Sequence, residues 1–363
     1  MNIDKTLVNF TVGPVKISDE ILSLGSDPVP YFRTTDFSNL MKENESIMKQ
    51  LMGAEEKARA VFLTGSGTAA MEASVINVFD HNDKLLVVNG GSFGQRFCQI
   101  CEIYDIPFTE IKLSFGTPLT ENDLKDYEGQ GYTGLLVNYH ETSTGVLYDL
   151  EMIHRFCEQN GLLLLVDSIS SFIADEFDMR KLGVDIVLTG SQKALALPPG
   201  VSIVVMNERI IERVNHRNPR CLYLNLKIAL RDGERGQTPF TPAVGVLIQL
   251  NKRLTEIQKI GMEKERAKIL AIAQDFRNRI HNYPFRIASL CLSNAMTPVS
   301  PMGDISAYAI YETLKNDYHI FVCPNGGDLA TKLFRVGHMG NLAIKDNDQL
   351  FAAFDDMKKR GIL

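Results

Sequence analysis

The chain has 363 residues, of which 45% are hydrophobic and 23% are charged, and both fractions are ordinary for a soluble globular protein. The formal net charge of −6, with no basic block, argues against a nucleic-acid or anionic-membrane surface. No apolar run is long enough to span a bilayer and the N-terminus has no apolar signal-peptide segment, so we expect a cytoplasmic enzyme.

The stretch from about residue 60 to residue 205 alternates short apolar runs with amphipathic segments. This alternation predicts an α/β fold in which helices cover a mostly parallel sheet. The run LLLLV before Asp167 is typical of a central strand that is buried on both faces. The predicted strands are 60–65, 84–89, 133–139, 162–168, 185–190 and 201–206.

The pattern changes at about Val246, where a long helical stretch with alternating acids and bases begins. We interpret this stretch as a helix with a solvated face that links two domains. The final ~100 residues mix strand and helix patterns with prolines and glycines between them, which predicts a smaller α+β domain.

Polar and glycine residues gather directly after five of the predicted strands. Because ligands of open α/β sheets bind outside the carboxyl ends of the strands, these loops predict a binding site at that edge of the sheet. The loops are TGSGT, NGGSFG, HETSTG, DSISS and TGSQK.

The sequence TGSGTAA follows the first predicted strand and opens a helix. Backbone amides at such a helix start, with the Ser66 and Thr68 hydroxyls, can bind a phosphate, and Gly67 allows a close approach. A structural helix cap is the alternative. The turn also resembles a dinucleotide-binding fingerprint, but the next predicted strand ends in Asn89 instead of the acid that would bind a ribose.

Two charged residues follow apolar strands, where an isolated charge is costly. Asp167 comes after four leucines and a valine, and it is either a helix cap or the counter-ion of a cationic ligand group. Lys193 follows the next predicted strand. It is either a surface residue or a desolvated amine, whose lowered pKa would make it a nucleophile.

The cysteines and histidines indicate no metal site. The six cysteines include one CxxC pair, Cys98 and Cys101, inside a predicted helix. No second pair and no matched histidine pair completes a zinc set, so we predict that the protein binds no metal. We interpret the two thiols as packing groups, with a redox role as the alternative.

A phosphate-binding helix start, a buried acid and a buried lysine together match what pyridoxal phosphate requires. The phosphate would bind at the helix start, the ring nitrogen at Asp167, and the aldehyde would form a Schiff base with Lys193. Asp167 would keep the ring nitrogen protonated, so that the ring can accept electrons. Phe93 is placed to stack on the ring, with core packing as its alternative role.

The chain resembles the class V aminotransferases of fold type I, a group that includes serine–pyruvate, alanine–glyoxylate and 2-aminoethylphosphonate–pyruvate aminotransferases. The resemblance runs nearly end to end through VGPV, GSGTAAMEA, NGGSFGQR, HETSTGVL, VDSISS, GSQKALALPPG, TPFTPAV and FRVGHMG. It implies an N-terminal segment (1–16) that lines the active site, a large domain (17–255) with a mostly parallel seven-stranded sheet, and a small C-terminal α+β domain (256–363).

The resemblance also implies roles for individual residues. Lys193 would hold the cofactor and then move the proton between the substrate α-carbon and the cofactor. Asp167 would pair with the ring nitrogen, and Ile169 would pack on the ring face opposite Phe93. The remaining cofactor-binding residues that it implies are Ser66, Gly67, Thr68 and Gln192 at the phosphate, Thr142 near the ring oxygen, and Thr241 from a partner subunit. A homodimer with shared active sites follows from that last contact.

On the substrate side, Arg335 would clamp the carboxylate, for which a guanidinium fork is better suited than a lysine. Taken alone, Arg335 would be interpreted as a surface arginine in an ion pair. Gly13 would line the substrate pocket. Two positions depart from the family pattern, because Phe32 replaces a histidine that many members carry and Thr238 falls where some relatives carry a tyrosine. Arg33 either faces a second anionic group of the substrate or is structural.

The implied activity is two-step, ping-pong transamination from alanine, serine or a similar donor to pyruvate or glyoxylate, with 2-aminoethylphosphonate as the alternative donor. A cysteine desulfurase shares the fold, but those enzymes carry a histidine where this chain has Gln192. They also need a mobile-loop cysteine, whereas Cys323 ends a predicted strand. The alternatives from other classes are an NAD-dependent oxidoreductase and a non-catalytic regulatory module that binds the cofactor.

Overall fold

A computed structural model describes residues 7–363, so residues 1–6 of the predicted N-terminal segment lie outside the described residues. The strands are β1 (Val8–Phe10), β2 (Arg59–Thr64), β3 (Leu85–Asn89), β4 (Phe108–Lys112), β5 (Gly134–Asn138), β6 (His140–Glu141), β7 (Val146–Leu147), β8 (Leu163–Asp167), β9 (Ile186–Gly190), β10 (Val201–Met206), β11 (Phe285–Ile287), β12 (Met296–Pro301), β13 (Ile320–Pro324) and β14 (Phe334–Gly337). The helices are α1 (Asp19–Leu24), α2 (Thr35–Leu51), α3 (Gly67–Val78), α4 (Ser92–Ile103), α5 (Glu121–Lys125), α6 (Leu150–Asn160), α7 (Glu208–His216), α8 (Leu226–Gly233), α9 (Val244–Ile260), α10 (Met262–Ile280), α11 (Ala307–Tyr318) and α12 (Ile344–Lys359).

The large sheet has seven strands in the order β2-β10-β9-β8-β5-β3-β4. β10 runs antiparallel to both of its neighbours, and the other pairs are parallel. The six strands predicted from the sequence are all present, and the ends of each fall within one residue of the prediction. The sequence pattern did not predict β4. This edge strand (FTEIK) has only Ile111 buried, so it contains no apolar run.

Each face of the sheet packs against its own layer of helices. In β8, Leu164 and Val166 pack with α2, α6 and α9, whereas Leu163 and Leu165 pack with α3, α4, α7 and α8. The alternation explains why the strand is apolar at every position, since both of its faces are buried.

A second sheet has five strands in the order β1-β13-β14-β12-β11 and packs with α10, α11 and α12. β1 pairs in parallel with β13, so the N-terminal strand belongs to the C-terminal sheet. The prediction of one long helix from Val246 needs a correction, because Gly261 at φ +97° separates α9 from α10. The domain boundaries predicted after residues 16 and 255 stay predictions.

Candidate active site

Asp167 is the last residue of β8 and is 6% exposed. Its carboxylate accepts hydrogen bonds from Asn138 Nδ2 at 2.6 Å and from the Ile169 amide at 2.8 Å. Burial raises the pKa of Asp167 to about 6 in spite of these bonds, which lower it. A cation that reached this carboxylate would therefore stabilise its ionised form.

Lys193 lies in the turn after β9 and is 8% exposed, so the sequence prediction of a buried lysine is confirmed. Its Nζ donates a hydrogen bond to the Val12 carbonyl at 2.6 Å. Burial lowers the pKa of Lys193 to about 8. A Cβ on Gly13 would lie 2.7 Å from Lys193 Cδ, so only glycine leaves room for this side chain. The amine is thus a nucleophile at mildly alkaline pH.

The start of α3 lies beside these residues. Ser66 is the N-cap of α3, but its side chain makes no capping hydrogen bond. A Cβ on Gly67 would overlap Cδ1 of Ile169, so this glycine permits a close approach. The Thr68 hydroxyl accepts a hydrogen bond from Arg96 Nη1 at 3.2 Å, which adds a positive charge to the helix start. The first amides of a helix and a nearby guanidinium form a suitable phosphate site.

Phe93 lies at the start of α4, which the carboxylate of Glu141 holds in place. Glu141 is 1% exposed, and its Oε2 accepts hydrogen bonds from the amides of Phe93 and Gly94 at 3.1 and 3.0 Å. Its Oε1 accepts a hydrogen bond from the Ser143 amide at 3.1 Å. The Arg96 guanidinium lies over the Phe93 ring, 4.8 Å from the centroid.

The roles of Glu141 and Arg96 were missed by sequence reasoning. For Glu141 a signal was present, since this acid follows the apolar strand β5 much as Asp167 ends β8. Arg96 gave no such signal, because a single arginine in an amphipathic helix is usually a solvated residue.

Arg335 lies on β14, opposite Cys323 of β13 in the strand register. Its guanidinium donates to the carbonyls of Thr142 at 3.2 Å and Pro324 at 2.7 Å, and its buried Nε has no partner. The residue lines a cleft of about 690 Å³ that also reaches Phe93. The charge of Arg335 lowers the pKa of Lys193, so the two cations face one region. A fixed guanidinium with a free N–H is suited to a carboxylate ligand.

The structure places the remaining predicted residues in two groups. Thr142 is buried in the site and donates its hydroxyl hydrogen to Ser170 at 2.7 Å. Gln192 precedes Lys193, and its backbone carbonyl accepts a hydrogen bond from the Val15 amide at 3.2 Å. Thr241 is exposed, and within the described chain no hydrogen bond joins it to the start of α3. Arg33 does not line the cleft of Arg335, and its guanidinium donates to the carbonyl of Thr238 at 2.8 Å.

Two further findings concern metals and membranes. Among residues 7–363, no group of three or more His, Cys, Asp or Glu side chains is arranged to hold a metal ion. Cys98 and Cys101 are buried in α4, and burial raises the pKa of both thiols to about 12. No helix in the described range has the length and apolar character that crossing a bilayer requires.

Comparison with known proteins identifies the family. A family model described as Aminotransferase class-V matches residues 31–322. The chain is 31% identical over 342 residues to a Synechococcus protein named "Soluble hydrogenase, small subunit" (92% of this chain, 88% of the relative). It is 26% identical over 342 residues to the L-aspartate–glyoxylate aminotransferase of Paracoccus denitrificans (92% and 86%). The solved alanine–glyoxylate aminotransferase from Nostoc sp. superposes with a TM-score of 0.92 at 25% identity (98% and 96%). Since the family model spans most of its length, the chain belongs to the class V aminotransferases.

Proposed function

We propose that this class V aminotransferase uses pyridoxal 5′-phosphate to move an amino group from a small amino donor, such as alanine or serine, to glyoxylate or pyruvate. The observation that carries the proposal is the buried Lys193, on whose pKa the charges of Asp167 and Arg335 both act. An amine, an acid and a guanidinium in one region can bind a carbonyl, a cationic ring nitrogen and a carboxylate.

The residues present fit this cofactor. The uncapped Ser66 and the space beside Gly67 leave the start of α3 open to a phosphate. Asp167 accepts only neutral donors in the described chain, so a protonated ring nitrogen would be the cation that it lacks. Phe93 and Ile169 are the apolar side chains that would hold the two faces of the ring.

Pyridoxal phosphate, when bound, supplies an electron sink for negative charge that develops at the substrate α-carbon. Lys193 Nζ is the amine that would hold the aldehyde, and it would also accept and return the proton at the substrate α-carbon. Its lowered pKa suits this task, because a proton carrier works best near the operating pH. Arg335 fixes the substrate carboxylate, which orients the α-carbon toward Lys193. The apolar residues after Lys193, Ala194 to Leu197, are buried and keep water away from the amine.

Glyoxylate is the favoured acceptor in this proposal, because the Paracoccus relative and the Nostoc structure are both named for it. The donor in the name is aspartate for the Paracoccus relative and alanine for the Nostoc structure, so the identity of the donor has to be determined by experiment.

To identify the donor, the holoenzyme should be mixed with one amino acid at a time, without an oxo acid, while the visible absorption band is followed. We expect the band to be lost with at least one of alanine, serine and aspartate. If only 2-aminoethylphosphonate bleaches the band, the alternative donor is correct. A spectral change that requires donor and acceptor together would refute the ping-pong order.

We also propose a homodimer in which Thr241 completes the phosphate site of the partner subunit. The face around Thr241 exposes Leu222 (72%) and Tyr223 (51%), and Tyr223 stacks on Phe240 with 5.4 Å between ring centroids. Exposed apolar side chains that cluster beside an unpaired polar residue are typical of a protein interface. Arg33 supports the same loop through its bonds to residues 237–239. Sedimentation that shows a fully active monomer would contradict this arrangement.

Without the cofactor, the variant Asp167→Asn should be more stable than the wild type at pH 7.5 by about 1–3 kcal/mol. Burial raises the pKa of Asp167 from 3.8 to about 6 in the folded state. Between these pH values the folded state binds more protons than the unfolded state, so stability falls as the pH rises. The asparagine amide can donate to Asn138 Oδ1, a buried acceptor with no partner.

Urea unfolding of the apo proteins between pH 4 and pH 7.5 measures this effect. The advantage of the asparagine should shrink steadily as the pH falls through 6 and be small near pH 4, where the folded-state carboxyl is protonated and the unfolded-state carboxyl is close to its pKa of 3.8. The same variant should lose transaminase activity, since it cannot balance a cationic ring nitrogen. If the wild type is as stable as the variant at pH 7.5, the cost of burying the Asp167 carboxylate is already offset without a ligand, and the prediction is wrong.

A further inference from the structure

His140, at the start of the β6–β7 hairpin, is a buried residue with two unpaired polar atoms. It is 3% exposed, and neither ring nitrogen has a hydrogen-bond partner in the described chain. Buried polar groups are almost always paired, and an unpaired one is costly. The imidazole therefore requires a partner from outside the chain, which is either a ligand or an enclosed water.

His140 lies between Asn138, which contacts Asp167, and Thr142, and the nearby cations help to keep it neutral. Lys193 acts on the imidazole most strongly among the cations, followed by Arg277 and Arg335. Burial, with these charges, lowers the pKa of His140 to about 3. A neutral imidazole has one N–H donor and one acceptor nitrogen. Arg277 donates to Thr297 Oγ1 at 3.0 Å, whereas Lys193 and Arg335 are the two cations of the candidate site.

Each neighbouring side chain that carries a donor already uses a hydrogen within the described chain. Asn138 donates to Asp167 at 2.6 Å, and the Thr142 hydroxyl donates to Ser170 at 2.7 Å. Glu141 is an acceptor for the start of α4. In the stretch from residue 138 to residue 142, His140 is therefore the donor-bearing side chain that makes no hydrogen bond within the described chain.

The chemistry of the cofactor indicates which group His140 meets. In pyridoxal phosphate the aldehyde carbon stands between the phosphate arm and a ring oxygen. If the phosphate binds at α3 and the aldehyde at Lys193, the ring oxygen must lie on the side of Lys193 away from α3. In the sheet, β2 leads into α3 and β5 leads to His140, and these two strands lie on opposite sides of β8 and β9. His140 is thus on the side where the ring oxygen needs a donor.

We propose that His140 donates a hydrogen bond to the ring oxygen of pyridoxal phosphate, an inference that rests on the proposed function. The Thr142 hydroxyl, to which the sequence resemblance assigned this region, has its hydrogen directed to Ser170. A donor on the ring oxygen competes with the proton that this oxygen shares with the linked nitrogen of Lys193. It therefore lowers the pH at which that proton leaves.

The test compares wild-type holoenzyme with the variants His140→Leu, His140→Ala and His140→Asn, without substrate. We expect His140→Leu and His140→Ala to raise the pH midpoint of the visible absorption change by about one unit, the effect of losing one hydrogen bond to a charged group. His140→Asn keeps an N–H donor and should restore part of the shift. The matched control is His338→Asn, because His338 is equally buried but is already bonded to Thr297 Oγ1 at 2.8 Å.

A second measurement does not depend on the absorption band. Apo wild type should bind pyridoxal phosphate more tightly than the analogue that lacks the ring hydroxyl, and this preference should shrink about tenfold in His140→Ala. Equal midpoints and equal preferences in folded variants would overturn the inference and favour an enclosed water beside His140. If the wild type itself forms no visible band with pyridoxal phosphate, the proposed function fails instead.

Discussion

The variant Lys193→Ala is expected to retain non-covalent binding of pyridoxal phosphate and to lose at least about 1,000-fold in kcat. Alanine removes the amine that, in the proposed function, holds the aldehyde and carries the α-proton, but it leaves Asp167 and the start of α3 unchanged. Steady-state transamination and the absorption spectrum of the reconstituted protein measure the two effects. The visible band of the lysine-linked cofactor should be absent.

The matched control for this prediction is Lys268→Ala, which removes an exposed lysine from α10. Its spectrum and its kcat should equal those of the wild type. Unchanged turnover in Lys193→Ala would show that another base moves the proton. Nicotinamide binding with no visible band in the wild type would favour the oxidoreductase alternative.

The variant Arg335→Gln is expected to lower kcat/KM for 2-oxo acids by about 10–100-fold, mainly through KM. In the proposed site, the variant replaces a charge-assisted, two-pronged bond to the substrate carboxylate by one neutral hydrogen bond. Arg335→Lys keeps the charge without the planar fork, so its loss should be intermediate. Initial rates at varied oxo-acid concentration separate KM from kcat.

Arg335 also donates to the carbonyls of Thr142 and Pro324, so the variants need a stability control. Thermal unfolding shows whether the link between β14 and the β6–β7 hairpin survives. Arg155→Ala removes an exposed arginine whose Glu121 partner lies 3.4 Å away on the surface, and its kinetics should match the wild type. Wild-type kinetics in Arg335→Gln with every oxo acid would remove Arg335 from the substrate site.

The central strands could be predicted because both faces of this sheet are buried. A strand such as β8 must be apolar at each position, and that requirement is visible as LLLLV in the sequence. β4 has only one buried residue, so its sequence carries no such requirement. The break at Gly261 between α9 and α10 was hidden by the continuous helical periodicity on both sides.

Some residues of the candidate site could likewise be recognised in the sequence, and others could not. Lys193 and Asp167 are visible in the sequence because a charge next to an apolar strand contradicts its surroundings. Glu141 and His140 are adjacent and equally buried, but a histidine or an acid near a polar loop is compatible with several environments. Glu141 is important because it binds the amides at the start of α4, and His140 is important because the charges of Lys193 and Arg335 act on it. Neither relation is visible in the sequence.

The sequence by itself determined the α/β architecture, the strand ends at which polar residues collect, and the lysine and acid that a carbonyl cofactor requires. Those features are local, since burial imposes them on a few consecutive residues. Only the tertiary structure decided that β1 joins the C-terminal sheet, that Val12 contacts Lys193, and that Arg335 reaches Thr142. These contacts join residues that are far apart in the sequence, such as Val8 with Ile320 and Thr142 with Arg335, and their formation depends on how two sheets pack rather than on any short pattern.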